Sequence, residues 1–364
     1  MPASEHQSMT SRLSGSVRPY GCLAILVAAL HILLLYGYSR IGLAQYAARG
    51  DGREYMGMAL ALTQGHLIGT HFPLYPAMIL LTSLAMNMQV AALVVPAIFH
   101  ILFALVVYKI LDTLGVDRPF LYALFLAFFP PAMMIYSSSA LSDSTTLFFA
   151  GLTFYFGLVN RRNLMLLSSI LAAASHYMGM LLAVPLLYWF WKNDRKKSIL
   201  SLIPLTPIAL FSLIQFFTIG DLLHYVTIHF TYAVRVYGTP LFSYPFASLV
   251  SIAVNLRGVE RLYWFGYVSL VFVVYGIGLV YANKTRRTWS AVASVPFYAL
   301  MVLYTGYYFI PRLILYAFPS LMEYGSLGRG NRLLTTIVLT VTLASVGYAI
   351  WFLLVRVPAS GFVS

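Results

Sequence analysis

Four short stretches of this chain carry residues that could move a proton or hold an anion. The first reads Ala48-Arg-Gly-Asp51-Gly-Arg-Glu54-Tyr55, then Gly65-His66 and His71-Phe-Pro-Leu-Tyr-Pro76. A carboxylate such as Asp51 can take the proton of an attacking hydroxyl. The same Asp-x-x-Glu spacing, ahead of Tyr55, Met58, Ala59 and Leu62 at helical positions, also fits a capping box with Asp51 at the N-cap and Glu54 at N3. The second stretch, Phe129-Pro-Pro through Ser142-Asp143-Ser, places Asp143 where it could hold acceptor hydroxyls or a metal, or merely cap the following helix. The third, Ser175-His176-Tyr, offers a hydrogen-bonding histidine or a packing one. The fourth, Tyr307-Tyr-Phe-Ile-Pro-Arg312, offers a guanidinium that can pair bidentately with a phosphate or snorkel to lipid headgroups.

The elements that must position these residues are membrane helices. Of 364 residues, 60% are hydrophobic and 9% charged, whereas soluble chains carry roughly a quarter charged residues. Apolar runs near the length of about 20 residues that a bilayer requires recur from Tyr20 onward. The expected fold is all-α and polytopic, with about ten or eleven spans. Expected spans lie near 20–38, 90–112, 120–136, 144–160, 164–175, 178–190, 199–219, 263–282, 291–308, 311–326 and 333–355. The run from Leu74 to Met86 is too short to span and reads as a shallow helix, as do residues 54 to 64. Residues 1–18 read as an inner tail before a signal anchor, and 356–364 as a second tail.

This arrangement collects positive charge on the inner side, as short loops require. Arg12, Arg18, Lys109, Arg118, Arg161, Arg162, the Lys192 to Lys197 cluster, Lys284, Arg286, Arg287, Arg329 and Arg332 all fall there. The charge rule favours a hairpin about Ser175 and His176 over one long span. Asp51, Glu54, Asp143, Asp221 and Glu260 then share the outer side, where two segments are long: 39–89 and 220–262. Glu5, Asp112, Asp117, Asp194 and Glu323 fall among inner basic residues as charge balance.

The formal charge of +13 is dispersed in short clusters, which excludes a continuous nucleic-acid-binding face. The single cysteine, Cys22, excludes an intramolecular disulfide. No Gly-x-Gly-x-x-Gly, P-loop or His-Glu-x-x-His pattern occurs, and the five-residue spacing of His224 and His229 does not share one helical face. The Asn283-Lys-Thr285 sequon falls inside and is expected to stay unmodified.

The first stretch, with Asp51, Glu54-Tyr55, a short helix ending in Gly65 and then Phe72-Pro-Leu-Tyr-Pro76, resembles the first lumenal loop of GT-C glycosyltransferases, and most closely PIG-V-like GPI-anchor mannosyltransferases. The Pro-rich segment ending in Ser142-Asp143 and the arginine-bearing start of a late span at Arg312 resemble the same family. At His176 the family usually carries Arg or Lys, a departure. The resemblance implies a GT-C bundle over 19–355, a hexose (mannose by resemblance) moved from a polyprenyl- or dolichyl-phosphate donor to a lipid or glycan acceptor, and no cofactor beyond a possible divalent metal. Asp51 would be the base; Glu54, Tyr55, Asp143, His176 and Arg312 would bind substrate, with Arg235 a further candidate for the leaving phosphate. The site would face outward from a plasma or endoplasmic-reticulum membrane. The rival expectation is a transporter or flippase for lipid-linked sugars, for which paired inverted repeats or midplane ionisable groups would speak; His31 and His100 are the main polar residues deep in the spans.

Overall fold

The computed structural model describes residues 17–359 except 67–69, 238–239, 285–287 and 328–329. Arg12, Glu5, Arg286, Arg287, Arg329 and the sequon's Thr285 therefore lie outside the described residues, as do the ends of both tails.

Every named element is a helix; the described residues form no strand, only an isolated bridge between Phe242 and Tyr304. Five helices are long and apolar enough to cross a membrane: Arg18–Ile41, Met88–Thr113, Arg195–Ile219, Gly258–Asn283 and Arg332–Ala359. A sixth candidate is the pair Pro119–Phe128 and Pro131–Ser137, bent by 66° at its break. The chain is thus built as a multi-pass membrane protein. The last helical stretch runs to Ala359, past the expected end at 355. The other expected spans are shorter or broken helices: Asp143–Leu158, Arg162–Ser175, Ala183–Asn193 and Thr288–Leu303 are short, and Pro311 and Pro319 divide the late run into pieces.

We number the helices used below α1 (Val17–Ile41), α2 (Gly52–Thr63), α3 (Leu74–Ser83), α4 (Met88–Thr113), α5 (Pro119–Phe128), α6 (Pro131–Ser137), α7 (Asp143–Leu158), α8 (Arg162–Ser175), α9 (Ala183–Asn193), α10 (Thr206–Ile219), α11 (His224–Tyr237), α12 (Ala247–Asn255), α13 (Gly258–Lys284), α14 (Thr288–Leu303), α15 (Ile310–Leu313) and α16 (Arg332–Trp351). Helices α1 and α4 pack antiparallel: Tyr20 meets the Tyr108 ring edge-on at 4.6 Å, and His31 Nε2 lies 2.9 Å from His100 Nδ1.

Residues 162–194 go out and come back. Met165 at the start of α8 packs with Trp189 and Phe190 at the end of α9, and Arg162 lies 3.8 Å from Asp194. The turn needs Gly179, where a Cβ would stand 2.3 Å from the Ala172 and Ala173 backbone. Backbone cannot yield as a flexible side chain can, so Gly179→Ala is expected to cost about 2 kcal/mol or more of stability. A lowered midpoint of thermal unfolding in detergent checks this.

The hairpin gives the molecule two chemically distinct ends. One gathers Lys109–Asp112, Arg118–Asp117 and Arg162–Asp194–Lys197 pairs, so those acids do balance charge. Glu323, near the same end of the chain's late helices, is fully buried. The other end holds Asp51, Asp143 and Arg312.

Candidate active site

Three distant segments meet at this end. Asp51 is brought in by the turn before α2, where Gly52 packs so tightly that a Cβ would stand 2.1 Å from the Ala47 carbonyl oxygen and 2.9 Å from Ala140 Cβ. Ala140 belongs to the 138–142 loop that leads into α7, so this close approach draws Asp51 toward Asp143. Asp143 opens α7, where the helix dipole favours a negative charge. Arg312 comes from α15, the short helix that Pro311 starts. The second outer segment is tied to the same region: the Ser243 and Phe246 amides donate to the Leu303 and Val302 carbonyls, and the Thr305 amide to Leu241.

Arg312 joins the two acids. Its Nε donates to both Asp143 oxygens at 3.0 Å, and its Nη1 donates to Asp51 Oδ2 at 3.1 Å. Tyr316, one helical turn on, donates to Asp143 Oδ1 at 2.9 Å. Asp143 is 1% exposed and Asp51 34%, so one acid is sealed and the other is open to a ligand. Neither capping alternative is realised, since Asp51 and Ser142 make no side-chain cap bond. Arg312 does not snorkel; its Nη2 is buried and has no hydrogen-bond partner among the described residues.

Burial pushes the Asp51 carboxyl up, but the Arg312 guanidinium, with His71 and His176 adding, more than cancels this. The group therefore sits below the usual carboxylate range and is ionised at neutral pH. Glu54 points elsewhere. His71 Nε2 lies 3.0 Å from its Oε2, the Thr70 hydroxyl donates to it at 2.5 Å, and it is 58% exposed. The His71 ring holds Glu54 below the usual range; partial burial opposes this and Thr70 adds to it.

Tyr55 is buried, bonded through its hydroxyl to Ser142 at 2.8 Å, and stacked on His71 at 4.3 Å. It braces the Asp51 turn against the Asp143 loop. His176 is buried; its Nδ1 accepts from the Met178 amide, and its ring lies over Tyr316 at 6.0 Å. It forms a wall of the site while its bond is local. Arg235 is exposed on α11.

Sequence reasoning assigned no role at this site to Tyr316, Tyr136, Arg49, His71 or His229. Tyr316 could have been read from its i+4 spacing to Arg312. The Tyr136 ring sits 5.7 Å from the Arg312 guanidinium. Arg49 has a buried Nε without a partner among the described residues. His229 on α11 faces His71 at 6.5 Å, and Tyr225 on the same helix packs on Phe72 at 5.0 Å. The second outer segment thus forms a helix against the first, which its tyrosines alone did not reveal.

Away from this cluster, the His31–His100 pair has a defined direction. His100 Nε2–H must donate to the Ala127 carbonyl, so His100 Nδ1 accepts from His31 Nε2–H, and His31 Nδ1 accepts from the Ser138 hydroxyl. Both rings are satisfied as neutral groups and link α1 and α4 to the 138–142 loop.

Among the described residues no group of three or more His, Cys, Asp or Glu side chains is arranged to hold a metal ion. A guanidinium already bridges Asp51 and Asp143. Comparison with protein-family models gives no match, and comparison with curated proteins gives none either.

Proposed function

We propose that this protein is a membrane glycosyltransferase that moves a hexose from a polyprenyl-phosphate donor to a lipid or glycan hydroxyl, with inversion at the anomeric carbon. The observation that carries the reading is the bonding of Arg312 to both Asp51 and Asp143, which sets a half-open carboxylate beside a buried cation at one end of a multi-pass helical bundle. Glycosyl transfer from a lipid phosphate requires those two groups: a base for the acceptor proton and positive charge for the departing phosphate.

In the reaction the acceptor oxygen bonds to the anomeric carbon as the bond from that carbon to the phosphate oxygen breaks. The electron pair leaves with the polyprenyl phosphate, and the hydroxyl proton passes to Asp51. Protonation removes the Asp51 charge that holds Arg312 Nη1 just as negative charge grows on the leaving group. Arg312 Nη1 and the partnerless Nη2 can then turn to the phosphate while Asp143 and Tyr316 keep the guanidinium in place. Two carboxylates against one guanidinium leave the resting cluster anionic. A single base with in-line displacement inverts the carbon.

The transporter reading has one specific observation on its side, the ionisable His31–His100 pair in the α1–α4 contact. Its one-way hydrogen-bond order suits a neutral structural link better than a carrier of protons. Reconstituting the protein in liposomes with a polyprenyl-phosphate hexose separates the two: we expect hexose transfer to membrane acceptors, whereas movement of intact donor across the bilayer without transfer would select the transporter.

Glu54 is engaged with His71 and Thr70 instead of Arg312. Glu54→Gln is therefore expected to lower transfer only a few-fold, about the effect of one weakened exposed ion pair, as measured by initial rates in membranes. If Glu54 were the base, its Gln variant would be the inactive one.

A further inference from the structure

At the end of the molecule opposite Asp51, the turn between α7 and α8 and the end of α9 enclose an open cavity of about 570 Å³. Arg161, Arg162, Asn193 and Asp194 line it. Asp194 is taken up by Arg162 at 3.8 Å and, from outside the lining, by Lys197 at 2.9 Å. The two lining guanidiniums and the neighbouring Lys197 ammonium, against the Asp194 carboxylate, leave two net positive charges in and beside the cavity. Asn193 is turned to the Trp189 carbonyl and Asn163 Oδ1 accepts from Arg162 Nε at 3.5 Å, with Asn160 also in the lining, so the guanidinium groups carry the positive charge of the cavity.

The surroundings are amphiphilic. Leu164, a wall residue, is 46% exposed, and Leu167 on the next turn of α8 is 52% exposed, so an apolar ridge leads out of the charged cavity along the helix. On α9 the exposed Trp191 carries the Arg195 guanidinium 3.9 Å from its ring centroid. A tryptophan paired with a cation in this way suits the level of lipid headgroups.

We propose that this cavity binds the phosphate of an anionic phospholipid headgroup, with the acyl chain lying on the Leu164–Leu167 ridge. A free phosphate ion would use the cations and leave the ridge without a role, and basic cavities between membrane helices are suited to anionic headgroups. The site is independent of glycosyl transfer and stands whether or not that reading holds.

The test is native mass spectrometry of the full-length protein in detergent, titrated with phosphatidylglycerol, phosphatidylcholine or inorganic phosphate. Wild type is expected to retain one phosphatidylglycerol more tightly than phosphatidylcholine. Arg161→Gln/Arg162→Gln is expected to weaken that binding about thirtyfold, for two lost charges facing the phosphate. Lys109→Gln/Arg332→Gln, which removes two cations from the same end outside the cavity, should weaken it less than about twofold. A third pair, Arg161→Lys/Arg162→Lys, should retain most of the binding, which guards against misfolding as the cause. Equal losses in both Gln variants, equal retention of the two lipids, or inorganic phosphate binding as tightly as the lipid would each overturn the proposal.

Discussion

Asp51→Asn is expected to lower the rate of sugar transfer by a factor of about 10² to 10⁴, the usual contribution of a positioned base, without loss of folded protein. The substitution is nearly isosteric, and the amide oxygen can still accept from Arg312 Nη1, now at 3.1 Å from Oδ2. What disappears is the capacity to take a proton. Because Asp51 is held below the usual carboxylate range, the wild-type rate should stay level from neutral pH into mild acid and fall only as pH drops through that lowered value. The sign for stability is the same: a depressed acid stabilises the fold above its unfolded pKa and loses that contribution as pH falls through the folded one. Arg312→Gln removes the main opposition to burial at Asp51, so the acid limb of any residual activity should move upward. Rates across pH in membranes containing equal amounts of each protein check both points.

The second large effect concerns the fold. Arg312→Leu would leave Asp143, at 1% exposure, as a buried carboxylate whose remaining side-chain hydrogen bond among the described residues is from Tyr316, and breaking such a pair costs about 3–5 kcal/mol. Asp143→Leu should cost a similar amount, softened because Asp51 still faces the guanidinium. The double variant should recover part of the stability, since an apolar pair need not be desolvated, and should remain inactive. Thermal unfolding in detergent for the three variants measures this; additive losses in the double variant would mean that the pair does not act as a unit.

The multi-pass helical character was legible in the apolar runs because the bilayer permits few alternatives to a helix. The number of crossings was not. A period of apolar residues does not distinguish a span from a kinked or re-entrant segment, and Pro311 and Pro319 break the late run into short pieces. The hairpin at Ser175 and His176 was legible only through charge, because Lys192 to Lys197 needed to share an end with Arg161 and Arg162. Asp51, Asp143 and Arg312 could each be singled out by residue type and span boundary. Their contact could not be read, since it depends on the close approach of Gly52 to Ala47 and Ala140. Local spacing also suggested capping at Asp51, whereas tertiary pairing with Arg312 took the carboxylate instead.

The most direct test of a lipid-phosphate glycosyltransferase is to follow both products at once. Purified protein would be incubated with a labelled polyprenyl-phosphate hexose and a membrane lipid extract, and free polyprenyl phosphate and glycosylated acceptor measured by mass spectrometry. The account predicts equal amounts of the two products from wild type, inverted configuration in the new glycosidic bond, and neither product above background from Asp51→Asn. Intact donor with wild type, or undiminished products from well-folded Asp51→Asn, would contradict it.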